Sequence, residues 1–161
     1  AIGRGLTKEL EGDQVAIEIK SQIEKWKANM PTIIDLGNPA MKARHWEKIY
    51  RAITMVWKGT AYLNVTLHTL ELNGIFEQKE LVSEISGIAS GEHALEKQLD
   101  KVEAAWDGCE IPIMNHRNQK DLWILADVSD IITQIEDHTV TIQTMMGSRF
   151  IGGIRDNVEK W

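Results

Sequence analysis

The stretch Leu81 to Trp106, LVSEISGIASGEHALEKQLDKVEAAW, decides how this chain is read. Leu81, Ile85, Ile88, Glu92, Leu95, Leu99, Val102 and Trp106 recur at steps of four and three. That spacing predicts the apolar seam of a long helix packed along its whole length. At ~1.5 Å per residue the stretch would extend roughly 38 Å. Gly87 and Gly91 sit inside it and are poor helix formers. They mark either a bend or the close approach of a neighbouring helix, and the unbroken phase of the seam favours close approach. Glu92 occupies a seam position that calls for an apolar side chain. A carboxylate there needs a hydrogen-bonded or charged partner. Arg44 is the expected partner, because its planar fork can take both oxygens, with His45 as a further donor. The alternative is that Glu92 turns out to water in the room left beside Gly91.

Before this helix, a first helix is expected from Leu6, with Val15, Ile19, Ile23, Trp26 and Met30 on one stripe and Pro31 ending or kinking it. Gly37, Asn38 and Pro39 then punctuate. The next helix carries Met41, His45, Ile49, Ala52 and Val56 on one stripe, with Trp46, Ile53 and Trp57 beside it. Lys58 to Asn64 reads as a connection, Thr66 to Leu72 as a short amphipathic element, and Asn73-Gly74 as a stop. After Trp106 the period changes to two. Ile111 to His116 and Leu122 to Leu125, around a polar turn at Asn118 to Asp121, predict a β-hairpin with Pro112 at an edge or strand start. Val128, Ile131, Ile135, His138, Ile142 and Met145 return to helical spacing, and Ile154, Val158 and Trp161 begin a further helix. The expected fold is mainly α: an elongated helical bundle over 1–109, one short β-hairpin over 110–126, and helices over 127–161, all within a single segment.

The 161 residues suffice for one core; 26% are charged and 43% apolar, which is the balance of a globular chain. The net charge of −6 argues against nucleic acid as a partner. No apolar run reaches the ~18 residues of a membrane span. Ala1 in place of an initiating Met reads as a cut point inside a longer polypeptide. The single cysteine, Cys109, excludes an internal disulfide. Six Trp against two Phe and two Tyr suggest large rigid anchors packed in the core, Trp26, Trp46 and Trp106 among them. No Gly-Lys-Ser/Thr phosphate loop occurs, and the five His do not pair with each other or with Cys109 at metal-ligand spacing. No catalytic, cofactor-binding or metal site is therefore expected in this stretch.

The run Asn38 to Lys48, NPAMKARHWEK, closely resembles a motif in the linker region of dynein heavy chains, of the form Leu-x-Asn-Pro-x-Met/Leu-x-x-Arg-His-Trp. Trp26 with Pro31, Ile34 and Leu36 resembles the lead-in to that motif. Ala89, Glu92, Leu95-Glu96-Lys97, Leu99 and Trp106 resemble the family's "Ala-x-x-Glu…(Ile/Leu)-Glu-x-x-Leu…Trp" helix. Glu136-Asp137-His138 with Met145, Ser148 and Trp161 resembles its closing segment. The runs Lys120 to Leu125 and Gly147 to Phe150 look more like axonemal (ciliary) than cytoplasmic dyneins. Gly91 departs from the pattern, which more usually has a Lys or another polar residue there.

The resemblance implies a mechanical role. The linker is a helical lever lying across a ring of ATPase modules and moving with nucleotide state to drive microtubule-based motility. Its structural motif would be Asn38, Pro39, Met41, Arg44, His45, Trp46, Glu92 and Trp106. ATP and Mg would belong to the rest of the chain, with none in this fragment. The implied partners are the ring of the same heavy chain, other dynein subunits and, through the whole motor, microtubules, in the cytoskeleton of a cilium or flagellum. The rival expectation is a free-standing helical scaffold that binds a protein partner; phosphate loops beyond Trp161 would separate the two.

Overall fold

A computed structural model describes residues 13–161, leaving out 118 and 120 and the side chain of Ala61. The helical start expected at Leu6 lies outside the described residues, as does part of the 118–121 turn. The chain divides into two compact units, one reaching Ser90 and the other Gly91–Trp161. It is mainly α with one two-stranded antiparallel sheet.

The first unit opens with α1, Gln14–Leu36. Asp13 caps it: its Oδ1 accepts from the N–H of Val15 at 2.7 Å and of Ala16 at 3.1 Å, satisfying two donors of the first turn. Pro31 lies within the helix and does not end it. The ring removes one N–H and crowds the carbonyl four residues back. Thr32 and Leu36, one turn apart and both buried, hold the last turn on the core in spite of that cost. The expected stripe of α1 is not the buried one. Val15, Ile19 and Met30 are exposed, whereas Ala16, Asn29, Thr32 and Leu36 are buried. The buried face of the helix is thus made of small and polar side chains until Leu36 enters the core at its last turn. Trp26 stands at the edge of that face, edge-on to Phe76 with ring centroids 6.1 Å apart. Lys25 Nζ reaches Glu71 Oε1 at 2.7 Å, and Lys79 Nζ donates to the Ala28 carbonyl at 3.3 Å.

Helix α2, Ala43–Ala52, is shorter than its sequence stripe, and Val56 is exposed. The N–H of Met55 donates to the Tyr50 carbonyl at 2.9 Å and that of Thr54 to Arg51 at 3.2 Å, with Thr54 at φ 55°. This left-handed cap turns the chain before the stripe can continue. A 3-10 turn, Ala61–Asn64, leads to α3, Leu67–Leu72, capped by Thr66 Oγ1 accepting from the Thr69 N–H at 3.2 Å. Gly74, at φ 79°, makes the stop that Asn73-Gly74 predicts. A second 3-10 turn, Ile75–Glu77, precedes α4, Lys79–Asp107, the 29-residue helix expected from the seam.

The core of the first unit is Leu36, Ala40, Met41, Ile49, Ile53, Leu70, Ile75, Val82, Ile85 and Ala89. That of the second unit is Leu99, Met145, Ile151, Ile154 and Val158, with Leu95 and Ile142 against it. Along α4 the buried line runs Val82, Ile85, Ala89, Glu92, Leu99, Val102. It is rotated slightly from the expected seam, so Leu81, Ile88, Leu95 and Trp106 are half-buried. The tryptophans are likewise not deep anchors. Trp26, Trp46, Trp57 and Trp106 are half-buried, and Trp123 and Trp161 are exposed. The fully buried large side chains are instead Tyr50, Ile49, Ile75, Met145 and His45. An indole at the margin of a core still buries its wide ring while its N–H keeps access to a partner or water.

In the second unit β1, Ile113–Asn115, pairs with β2, Trp123–Leu125, in the register Ile113↔Leu125, Met114↔Ile124 and Asn115↔Trp123. Pro112 stands just before β1, where its missing N–H costs nothing, and its carbonyl accepts from Ala126 N–H at 2.9 Å. Helix α5, Ser129–Met146, follows. After a 3-10 turn at Ile151–Gly153, the helix expected from Ile154 is one turn, α6, Arg155–Val158.

Candidate functional site

The Asn-Pro loop between α1 and α2 is fixed by one side chain. Asn38 Oδ1 accepts from the Ala40 N–H at 3.0 Å, closing an Asx turn around Pro39. Its Nδ2 faces α4, where the Ser86 carbonyl, Ser86 Oγ and Ser90 Oγ lie at 3.1, 2.9 and 2.8 Å. The amide has two hydrogens, so these three acceptors share them. An aspartate has no donor to offer them, and a smaller side chain would not span the gap. The same turn seats Ala40 and Met41, both buried, in the core beside Val82, Ile85 and Ala89.

Past the turn, His45 is 1% exposed. Its Nδ1 accepts from the Lys42 N–H at 3.0 Å, one of the orphan donors at the start of α2. The neutral ring therefore carries its proton on Nε2. Trp46 stacks on Tyr62 at 5.9 Å and 19°, Tyr62 on Trp57 at 6.0 Å and 14°, and Trp57 meets Tyr50 edge-on at 5.3 Å. This ladder ties the 3-10 turn to α2. Burial pushes the Tyr50 phenol above its ordinary range.

Of the expected motif residues, Asn38, Met41, His45 and Trp46 join one site in the first unit, with Pro39 exposed at the tip of the loop. Arg44 is half-buried and Glu92 is 6% exposed; neither they nor His45 lack an interaction partner. Trp106 belongs to the second unit, near-perpendicular to His138 at 5.6 Å. Sequence reasoning missed Ser86, Ser90, Tyr50 and Tyr62. The signal for the serines was present: two hydroxyls one turn apart, beside the apolar seam. Gly91 meets Phe150, whose ring atoms would lie 2.4–2.7 Å from an added Cβ. A close approach thus exists at Gly91, but to the Phe150 ring in the turn after α5 and not to a neighbouring helix, and nothing lies within 4 Å of a Cβ at Gly87. Among the described residues no group of three His, Cys, Asp or Glu is placed to hold a metal, and no helix is long and apolar enough to cross a membrane.

These features define a mainly helical segment in which an Asn-Pro loop and an Arg-His-Trp helix are pinned to one long helix. The chain belongs to the dynein heavy chain family: residues 2–161 match the family model described as "Dynein heavy chain, N-terminal region 2". It is 39% identical to human dynein axonemal heavy chain 6 over 158 residues, covering 97% of this chain and 4% of that protein. It is 30% identical to mouse dynein axonemal heavy chain 2 over 142 residues (88% of this chain, 3% of the relative) and 29% identical to mouse dynein axonemal heavy chain 1 over 148 (92% and 3%). The chain thus spans only a few hundredths of the length of these relatives.

Proposed function

We propose that this chain is part of the linker of an axonemal dynein heavy chain, a lever that moves across the ATPase ring of the same polypeptide. In this reading ATP and Mg are bound by other parts of the heavy chain, and microtubules and other dynein subunits are met through the whole motor in a cilium or flagellum. The observation that carries the reading is α4. It runs 29 residues without a break and supplies Val82, Ile85 and Ala89 to one core and Leu99 to the other. A lever must pass load without melting, and each half of α4 is anchored in a core of its own, so that unwinding either half costs the buried contacts of that core. The Asn38 hydrogen bonds, together with the Trp46–Tyr62–Trp57 ladder, stiffen the neighbouring chain by the same logic.

The test is Asn38→Asp in a heavy chain carrying this segment. The change keeps the Asx turn and turns a carboxylate toward the Ser86 carbonyl. Microtubule gliding should slow severalfold while ATP turnover is retained. Gliding and turnover falling in step, or neither changing, would overturn the lever reading. So would micromolar binding of Mg-ATP by the 161-residue chain in calorimetry.

A further inference from the structure

Where α4 and α5 run side by side in the second unit, they leave a groove of about 260 Å³. Val102, Trp106, Ile135 and Ile142 give it apolar walls, and Trp161 stands at its margin. Trp106 and Trp161 also line an adjoining, more open groove of about 530 Å³, whose other walls include Asp100, Glu103 and Asp107. The three carboxylates fall at steps of three and four, on one face of the helix. No lysine or arginine lines either groove, and the imidazole of His138 lies in the first one, against Trp106. Trp161 is held in place as its Nε1–H donates to Glu103 Oε1 at 3.3 Å.

The charge here runs against the usual rule. The C-terminal end of a helix carries roughly half a negative charge from its unpaired carbonyls and favours cations nearby. The last turn of α4 holds no basic residue, yet Asp107 lies in it and Glu103 and Asp100 precede it. Two indole rings line the same place, and the face of an indole carries the negative side of its quadrupole. An apolar slot beside an anionic, aromatic-walled one has a complement of defined chemistry.

We propose that this double groove docks a basic, amphipathic segment of a protein partner, with an aliphatic side chain between α4 and α5 and an arginine or lysine between Trp106, Trp161 and the three carboxylates. The two grooves share the indole pair, so neighbouring side chains of one segment can fill both. The inference does not rest on the lever reading. It follows from the lining residues and their charge alone.

The probe is an acetylated, amidated tetrapeptide of alternating leucine and arginine, compared with its twin carrying neutral citrulline. Binding to the 161-residue chain is read from the indole N–H resonances of Trp106 and Trp161. Both should shift saturably with the arginine peptide, and the citrulline twin should bind at least about threefold more weakly. Asp107→Asn should weaken the arginine peptide about two- to fivefold. Glu84→Gln removes the same charge on the same helix about 24 Å from Asp100 and should leave binding unchanged. Both substitutions are at exposed positions and keep the side-chain size, so the fold is not at stake. Equal binding of the two peptides, equal effects of the two substitutions, or no shift by about 10 mM peptide would each overturn the proposal.

Discussion

Two adjacent residues in the middle of α4 show how differently a sequence signal can resolve. Glu92 stood out as a carboxylate on an apolar seam, and it is buried at 6% exposure. Its removal should therefore strand a partner: Glu92→Ala is expected to cost about 3–5 kcal/mol in urea unfolding. A cost below about 1 kcal/mol would show that burial here leaves no uncompensated group. Gly91 resolves through a residue far along the chain, Phe150, whose ring fills the space of the missing Cβ. Helix propensity alone predicts that Gly91→Ala stabilises by about 1 kcal/mol. A contact of 2.4 Å to the ring's Cγ, which cannot swing aside as a flexible chain end can, outweighs it. Gly91→Ala should destabilise by about 1–3 kcal/mol, and Phe150→Ala in the same chain should remove most of that penalty. An additive pair would rule out the steric account. Glu92 was legible because its misfit lies within its own helix. Phe150 was not, because nothing in the spacing of α4 says which distant ring covers a glycine.

At the level of elements, periodicity located the helices and the hairpin well and their limits less well. The stripe Met41 to Val56 predicts a longer α2 than the chain makes, since a cap at Thr54 intervenes. Threonine carries no turn signal, so its left-handed backbone could not be anticipated. It is also a strained choice, as a β-branched side chain crowds its own carbonyl at φ 55°. Thr54→Gly should therefore stabilise the chain by about 0.5–1 kcal/mol, the relief of strain exceeding the added freedom of the unfolded state. A loss of stability would show that the Thr54 side chain matters more than its backbone. For α1 the element was right and the face was wrong. Apolar side chains marked a stripe, but Ala16 and Thr32 are buried while Val15 stands open.

Across the whole molecule, the family was legible from the Asn-Pro…Arg-His-Trp run, because those residues meet specific geometric needs: an Asx turn, an imidazole acceptor, a stacked indole. The division at Ser90 and Gly91 was not, since the apolar seam keeps its phase through it. Tyr50 offers a probe of the first unit as a body. Its phenol is pushed above its ordinary 10.0 by burial, so above that pH the unfolded chain ionises first and holds fewer protons than the folded one. Stability from this group is fully present below about pH 10 and falls as pH rises through the folded value. The urea midpoint should thus drop more steeply as pH rises past about 10 in the native chain than in Tyr50→Phe. Parallel curves would show that ionised Tyr50 is solvated in place.

The hairpin carries a different consequence, one for handling the molecule. Ile113, Trp123 and Leu125 lie on one face of the ribbon and Met114 and Ile124 on the other, all of them exposed. Both outer edges are unpaired within the two-stranded sheet. Such a ribbon is a template for its own kind, since a second copy can add strands at either edge and bury both faces. Purified segments should therefore turn turbid as they are concentrated, and Ile113→Lys with Leu125→Lys, a repelling pair on one face, should keep them clear by light scattering. Unchanged scattering would move the sticky surface elsewhere. An open apolar ribbon of this kind is a hazard wherever many copies lie close together, in a concentrated sample or along one messenger during synthesis.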